Sequence, residues 1–198
     1  MEETKLEKLA RLSGKATSKA LDALGKRGFD IRGKLTAPIS RVPRSATAAK
    51  TERVMTDPET IYNWRRLDDR ITTSGQPTEP QLADLQALGV RHIVNLGLHT
   101  HEKALPDEAA SVTRLGMEYI HIPVDFQNPT NKDFDQFCTV MEQLKEVPVH
   151  VHCIANYRVS AFLYRYRRDV LGMDEARARA DMEQVWQPKD VWARFVGR

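Results

Sequence analysis

An α/β fold with a mostly parallel central sheet flanked by helices is what this sequence predicts, and three observations lead to it. Four short runs have strand composition or alternation: Arg70–Ser74, Val90–Leu96, Glu118–Val124 and Val147–His152. Between successive runs lie stretches of ten or more residues whose apolar positions recur at three and four, the spacing of one helix face. Connections of that length join parallel strands, whereas antiparallel neighbours need only a tight turn. In such sheets the loops that carry chemistry leave the carboxyl ends of the strands. Asp125 and Cys153 both follow strand-like runs, so they are expected on one edge.

Taken in order, the ordered chain is expected from about Ile61, where Trp64, Leu67 and Ile71 supply apolar anchors. Arg70–Ser74 has β-prone composition, and Gly75-Gln76-Pro77 turns the chain. Thr78-Glu79-Pro80-Gln81 is a capping box with proline in the first turn. The helix it opens carries Leu82, Leu85 and Leu88 and stops at Gly89. The strand Val90–Leu96 leads into a polar segment containing His99 and His101. Asp107–Leu115 reads as a helix closed by Gly116, Glu118–Val124 as a strand, and Asp125-Phe126-Gln127-Asn128-Pro129 as a loop. Thr130 to Asp133 starts a helix by side-chain capping. Phe134, Phe137, Cys138, Met141 and Leu144 then share its core face, which makes Cys138 a packing residue. Beyond the strand Val147–His152, a helix is expected from Arg158 to about Leu171, where Gly172 breaks it. Asp174 caps another that runs to Val185. Trp192, Phe195 and Val196 give a last apolar face that closes the domain.

The chain has 198 residues, one ordinary domain plus an extension. Its net charge of +3 is unevenly spread: residues 1–50 hold twelve Lys/Arg against five Asp/Glu, and the remainder is net acidic. Residues 1–57 therefore read as a basic N-terminal extension and linker, and 58–198 as the globular domain. Leu6, Leu9, Leu12, Ala16, Ala20, Leu21 and Leu24 form a helical stripe among lysines without aromatic anchors. It reads as an extension that packs on nothing or on a partner subunit. An acidic surface, lipid or nucleic acid, is the alternative partner. Thr36–Asp57, rich in Ser, Thr, Ala and Pro, reads as linker. Two cysteines, Cys138 and Cys153, give no disulfide framework and suit a reducing compartment. With no apolar run of membrane-spanning length and no signal-peptide core, a cytoplasmic protein is expected.

The chemistry concentrates in Val147–Arg168. Val149 and Val151 alternate with His150 and His152, then come Cys153, a short loop, and helical spacing through Val159, Phe162 and Tyr166. A cysteine between a strand end and a helix N-terminus meets unpaired N–H groups and the positive end of the helix dipole. That spot binds anions and favours a thiolate. An arginine nearby adds a planar fork that matches a phosphate face.

His152-Cys153, Arg158 and Ser160 resemble the signature loop of cysteine-dependent protein tyrosine and dual-specificity phosphatases, H-C-x-x-G-x-x-R-[ST]. Two departures matter. The family's arginine comes six residues after the cysteine, whereas Arg158 comes five after Cys153, and in ungapped register Val159 takes the arginine position. Asn156 stands where the family has glycine; asparagine tolerates positive φ better than most residues. A loop one residue shorter, of Cys-x4-Arg type, reconciles the first. Ser74-Gly75-Gln76-Pro77, the helix after it, Gly89 and Ile93-Val94-Asn95-Leu96 are similar to the opening of small bacterial phosphatase-like proteins. The resemblance thus runs from about Trp64 to Phe195.

What the resemblance implies is a protein-tyrosine-phosphatase-like fold and a phosphoric monoester hydrolase working through a cysteinyl-phosphate. Cys153 would attack phosphorus as a thiolate. Arg158, with the N–H groups of Ile154, Ala155, Asn156 and Tyr157, would hold the phosphoryl oxygens. His152 would order the loop, Ser160 would hydrogen-bond the leaving thiolate, and Asp125 would protonate the leaving group, Asp133 reading instead as a helix-start residue. Neither metal nor cofactor is implied, and the substrate would be a phosphorylated protein or a small phosphate ester. Tyr157 could wall the pocket. Other readings stay open: a phosphate or phosphoprotein reader if Arg158 misses the cradle, a sulfurtransferase, or a metal-dependent hydrolase. The last rests on the pairs His99-Thr100-His101 and His150-Val151-His152, which no carboxylate extends into a hydrolase signature.

Overall fold

The computed structural model describes residues 56–197 of the chain, within a unit spanning Thr51–Arg198. The leucine stripe of residues 4–24 and nearly all of the proposed linker lie outside the described residues. Asp57 does not: its carboxylate accepts from Arg66 and from Trp64 Nε1, which ties the start of the described chain to the domain.

Five strands make one sheet: β1 Arg65–Arg66, β2 Ile71–Ser74, β3 His92–Asn95, β4 Glu118–His121 and β5 Val149–His152. Their order is β1-β2-β5-β3-β4. Every pairing is parallel except β1 on β2. The four parallel strands are those expected from sequence. The two-residue antiparallel edge was not, because paired arginines carry no strand signal and only their backbone joins the ladder. β4 stops as a regular strand at His121, ahead of Pro123, which has no N–H to give. The flanking residues still reach the neighbouring strand, Ile122 N to Asn95 O at 2.9 Å and Val124 N to Leu96 O at 3.3 Å. The chain therefore stays extended as far as Val124.

Among the described residues six helices flank the sheet: α1 Glu79–Ala87, α2 Glu108–Arg114, α3 Asn131–Gln143, α4 Tyr157–Arg165, α5 Glu175–Glu183 and α6 Asp190–Phe195. Four of them start at side-chain caps. Gln81 accepts from Thr78 N at 2.9 Å, and Asp107 accepts from Ala110 N at 3.1 Å. Thr130 and Asp133 cap each other reciprocally, and Asp174 accepts from Arg177 N at 3.0 Å. α1 ends at Gly89, whose φ of +93° suits a residue without Cβ. α4 widens into a π-helical turn, Tyr166–Val170, before Gly172.

The pleat sends alternate residues to two separate apolar layers. Ile93 packs with Trp64, Leu82, Leu85 and Val112 under α1 and α2. Val94, Val149 and Val151 pack with Phe134, Phe137, Val159, Phe162 and Trp192 under α3, α4 and α6. His150 and His152, between those valines, therefore point to the α1/α2 side. His150 stacks on Trp64 at 5.4 Å. Among the described residues no helix is long and apolar enough to cross a membrane.

Because the described residues by themselves build both layers, removing residues 1–50 is expected to leave the thermal midpoint essentially unchanged. Differential scanning calorimetry of the truncated and full chains tests this. A fall beyond about 4 °C, roughly 1 kcal/mol for a domain of this size, would put the leucine stripe in the core.

Candidate active site

Three strand ends share one level. Ser74 pairs with His152 and His152 with Asn95, so Gly75, Cys153 and Leu96 leave the sheet together. The bonds Cys153 N to Ser74 O at 3.4 Å and Leu96 N to His152 O at 2.8 Å continue the ladder into the loops. Cys153 is fully buried at this edge.

The scaffold then holds the loop by its carbonyls. Ile154 O accepts from Gln76 N at 3.1 Å, Ala155 O from Asn63 Nδ2 at 3.0 Å, and Cys153 O lies 3.4 Å from His152 Nδ1. In a trans peptide the carbonyl and the following N–H point opposite ways. Fixing the carbonyls of Cys153 and Ile154 from behind therefore turns the amides of Ile154 and Ala155 away from the scaffold. Gly75 makes this approach possible, since a Cβ there would stand 2.8 Å from Ile154 O. Asn156 closes the loop at φ +66°, and its side chain donates to Asn63 O at 2.7 Å and Thr73 Oγ1 at 2.9 Å. The positive φ at the glycine position of the signature is thus met by a buried, doubly anchored asparagine.

A cavity of about 260 Å³ opens beside Cys153, lined also by Ile154, Ala155, Tyr157, Arg158, Phe126 and His101. Arg158 is buried, with Nε donating to Val124 O at 2.9 Å and its guanidinium over the Phe126 ring at 5.1 Å. Tying Nε leaves the terminal nitrogens as the available donors. Val159 is fully buried in the α3/α4 layer. The structure thus brings Arg158 together with Cys153 and turns Val159 away. Tyr157 lines the cavity and stacks on Trp186 at 4.7 Å.

Two expected residues stand differently. Ser160 was expected to bond the thiolate, but its hydroxyl donates to Tyr157 O at 3.1 Å and accepts from Trp186 Nε1 at 3.0 Å. One turn into α4, the backbone carbonyl and the indole are its nearer partners. Asp125 is exposed and does not line the cavity. Its carboxylate accepts from Gln127 N at 2.9 Å in a turn, while its neighbours Val124 and Phe126 both touch Arg158. Cys138 is partly buried on α3, and burial, with Asp135 nearby, pushes its thiol up.

Behind the loop lies a polar group that sequence reading missed. Glu108, in the first turn of α2, is 3% exposed. It accepts from Gln76 Nε2 at 2.8 Å, Asn95 Nδ2 at 2.8 Å and Tyr119 Oη at 3.2 Å. His152 Nε2 stands 3.1 Å away, a charge contact off the line of a well-directed hydrogen bond. Burial by itself raises the Glu108 carboxyl, but the His152 charge and the donors around it prevail and hold it below the usual range. His150 is pushed well down, by burial first and then by His152. It sits as a neutral ring between Thr72 Oγ1 and Ser74 Oγ, each at 2.9 Å. An acid after an Asp107 cap reads in sequence as a helix-start charge; nothing local signals its burial. His101 was read only as half of a histidine pair. Among the described residues no group of three or more His, Cys, Asp or Glu could hold a metal ion.

Comparison with known proteins agrees with this geometry. The sequence model of a family described as DSP-PTPase phosphatase fused to NAD+ kinase matches residues 43–191. A DUF442 protein of Shewanella putrefaciens CN-32, solved by crystallography, is 34% identical, with TM-score 0.63 over 70% of this chain and 91% of that one. The beta-lactamase hydrolase-like protein of Agrobacterium fabrum is 32% identical over 60% of this chain, which spans only 27% of that protein's length. TpbA of P. aeruginosa, crystallised with pTyr, shares the fold at 22% identity and TM-score 0.53, over 65% of this chain and 75% of that one.

Asn156→Ala keeps the positive φ but loses both anchors. It is expected to cost about 1–3 kcal/mol through the partners left unpaired, read as a lower urea midpoint, whereas Asn156→Gly, free of strain at positive φ, should lose less. Equal stability of both variants with the wild type would show that the loop does not depend on this residue.

Proposed function

The chain belongs to the family of dual-specificity-type protein tyrosine phosphatases described as fused to NAD+ kinase, and on that premise we propose that it hydrolyses phosphoric monoesters through a cysteinyl-phosphate. The observation that carries the reading is the single cavity shared by Cys153 and Arg158. A phosphoryl group entering it meets the thiol at the floor and the guanidinium on the wall. The amides of Ile154 and Ala155, turned away from the scaffold, lie on the remaining side.

The steps follow from these groups. Cys153 attacks phosphorus as a thiolate, the phosphorus–sulfur bond forms, and the alcohol or phenol oxygen leaves. Arg158 and the loop amides hold the equatorial oxygens as charge spreads over them. A proton must reach the leaving oxygen, and Asp125 is the group assigned to deliver it. Delivery requires its loop to move inward, since Asp125 faces solvent between two residues that touch Arg158. Water then takes the phosphoryl group, and the thiolate leaves. Asn156 and Tyr157 shape the loop, and His152 orders it. Ser160 acts through Tyr157 O, steadying the first turn of α4. A phosphorylated protein or small phosphate ester is the substrate class.

Hydrolysis of p-nitrophenyl phosphate tests the reading. Cys153→Ser should abolish turnover. Arg158→Lys keeps the charge but loses the fork, and should cut kcat/KM about a hundredfold, on the order of 3 kcal/mol, a far larger effect than its loss of stability. Arg158→Ala with Val159→Arg should not rescue activity, because position 159 faces the core. Phosphate binding without any turnover in the wild type would make the protein a reader. Cyanide-labile sulfur on Cys153 after exposure to thiosulfate, again without phosphatase turnover, would make it a sulfurtransferase.

A further inference from the structure

Glu108 has no part in the steps above, yet it is a buried acid directly behind the nucleophile. Every atom that faces it brings a hydrogen. Asn95 Oδ1 is taken by Gly97 N at 2.6 Å, so its Nδ2 is the end presented to Glu108. Tyr119 Oη accepts from that same Nδ2 at 3.0 Å, and its own hydrogen goes to Glu108. Gln76 and His152 supply the other oxygen. These contacts and the nearby His152 outweigh burial and hold the carboxyl below its usual range, so the site favours the carboxylate.

A carboxylate buried this deeply needs a counter-charge. The titratable groups around it are few. His152 faces it from β5 and Tyr119 from β4. His121 lies beyond, its ring pushed down by burial first, and stacks on His99 at 3.7 Å. His99 Nε2 in turn reaches Tyr119 Oη at 2.8 Å. Of these, only His152 touches the carboxylate as a potential cation. Its other nitrogen, Nδ1, lies 3.4 Å from Cys153 O, also an acceptor. The ring thus stands between two oxygen atoms, the Glu108 carboxylate beside Nε2 and the Cys153 carbonyl beside Nδ1.

We infer that Glu108 is the positioning residue of this site: it holds His152 as an imidazolium, which favours the Cys153 thiolate and fixes the Cys153 carbonyl. The second effect is geometric. The Cys153 carbonyl sets the direction of the Ile154 amide, so the same pair orients one donor of the phosphate cradle. This inference rests on Cys153 being the nucleophile, and its test is independent of turnover.

Glu108→Gln in the full chain removes the charge and keeps the size. Two readouts are taken: the pH profile of Cys153 alkylation by iodoacetamide, located by mass spectrometry, and the ¹⁵N shifts of the His152 ring. The variant's profile should move up by at least about one pH unit, roughly tenfold slower alkylation on the acid side, and its His152 ring should become neutral near pH 7. An unchanged profile in a folded variant overturns the inference, because a merely structural Glu108 would lower stability without moving it. If the variant does not fold, the wild type decides: a His152 ring with one protonated nitrogen at pH 6 refutes the pairing, and two support it. A wild type with the doubly protonated ring but no phosphatase turnover would refute the proposed hydrolysis and leave this inference standing. Turnover with an unmoved profile would do the reverse.

Discussion

The alignment of three parallel strand ends is the constraint on which the rest of the site depends. Ser74, His152 and Asn95 stand side by side in register, so the turn at Gly75, the Cys153 loop and the chain after Asn95 emerge as neighbours. Parallel register is enforced by burial on both faces, since a one-residue slip would exchange valines for histidines across the sheet. Once register holds, Gln76 N meets Ile154 O and Gly75 approaches the loop backbone without a side chain in the way. The loop is thus shaped by a turn some eighty residues earlier in the chain.

The sheet separates two kinds of interior. On the α3/α4 side the contacts are apolar and aromatic, with Phe137 edge-on to Phe162 at 5.6 Å and Phe162 near Phe195 at 4.9 Å. On the α1/α2 side, toward the carboxyl edge, the sheet presents His150, His152, Asn95 and Ser74. Polar groups there are costly unless partnered. Trp64, Thr72, Gln76, Glu108 and Tyr119 supply stacking or hydrogen bonds. Cys153 stands between the two interiors. A firm apolar floor lies on one side, and a hydrogen-bonded network that can hold charge lies on the other.

A loop of Cys-x4-Arg length places an additional demand on the backbone. With one residue fewer than the familiar signature, the guanidinium can share a cavity with the thiol only if the chain turns sharply before α4. Asn156 makes that turn at positive φ, and its side chain secures it to Asn63 and Thr73. The tie from Arg158 Nε to Val124 O then couples the Cys153 loop to the segment that carries Asp125 and Phe126. The arginine of the shorter loop is thus held by the chain after β4 as well as by its own helix.

Much of this was legible in the sequence. The capping boxes at Thr78 and Thr130, the stops at Gly89 and Gly172, and the alternation in Val149–His152 are local signals, and the structure follows them. The cysteine between strand and helix, and an arginine one turn on, are local as well. The β1 edge, the Ser160 hydroxyl bound to Tyr157 and Trp186, and the burial of Glu108 were not legible. Each depends on what stands opposite: the backbone of β2, the indole of Trp186, the imidazole of His152. Sequence by itself determined where elements start and which faces are apolar, because these depend on neighbours within a few positions. Only the tertiary structure decided that Arg158 shares a cavity with Cys153 and that a helix-start glutamate lies buried against His152. Those outcomes are set by contacts between residues far apart in the chain, where spacing along the sequence carries no information.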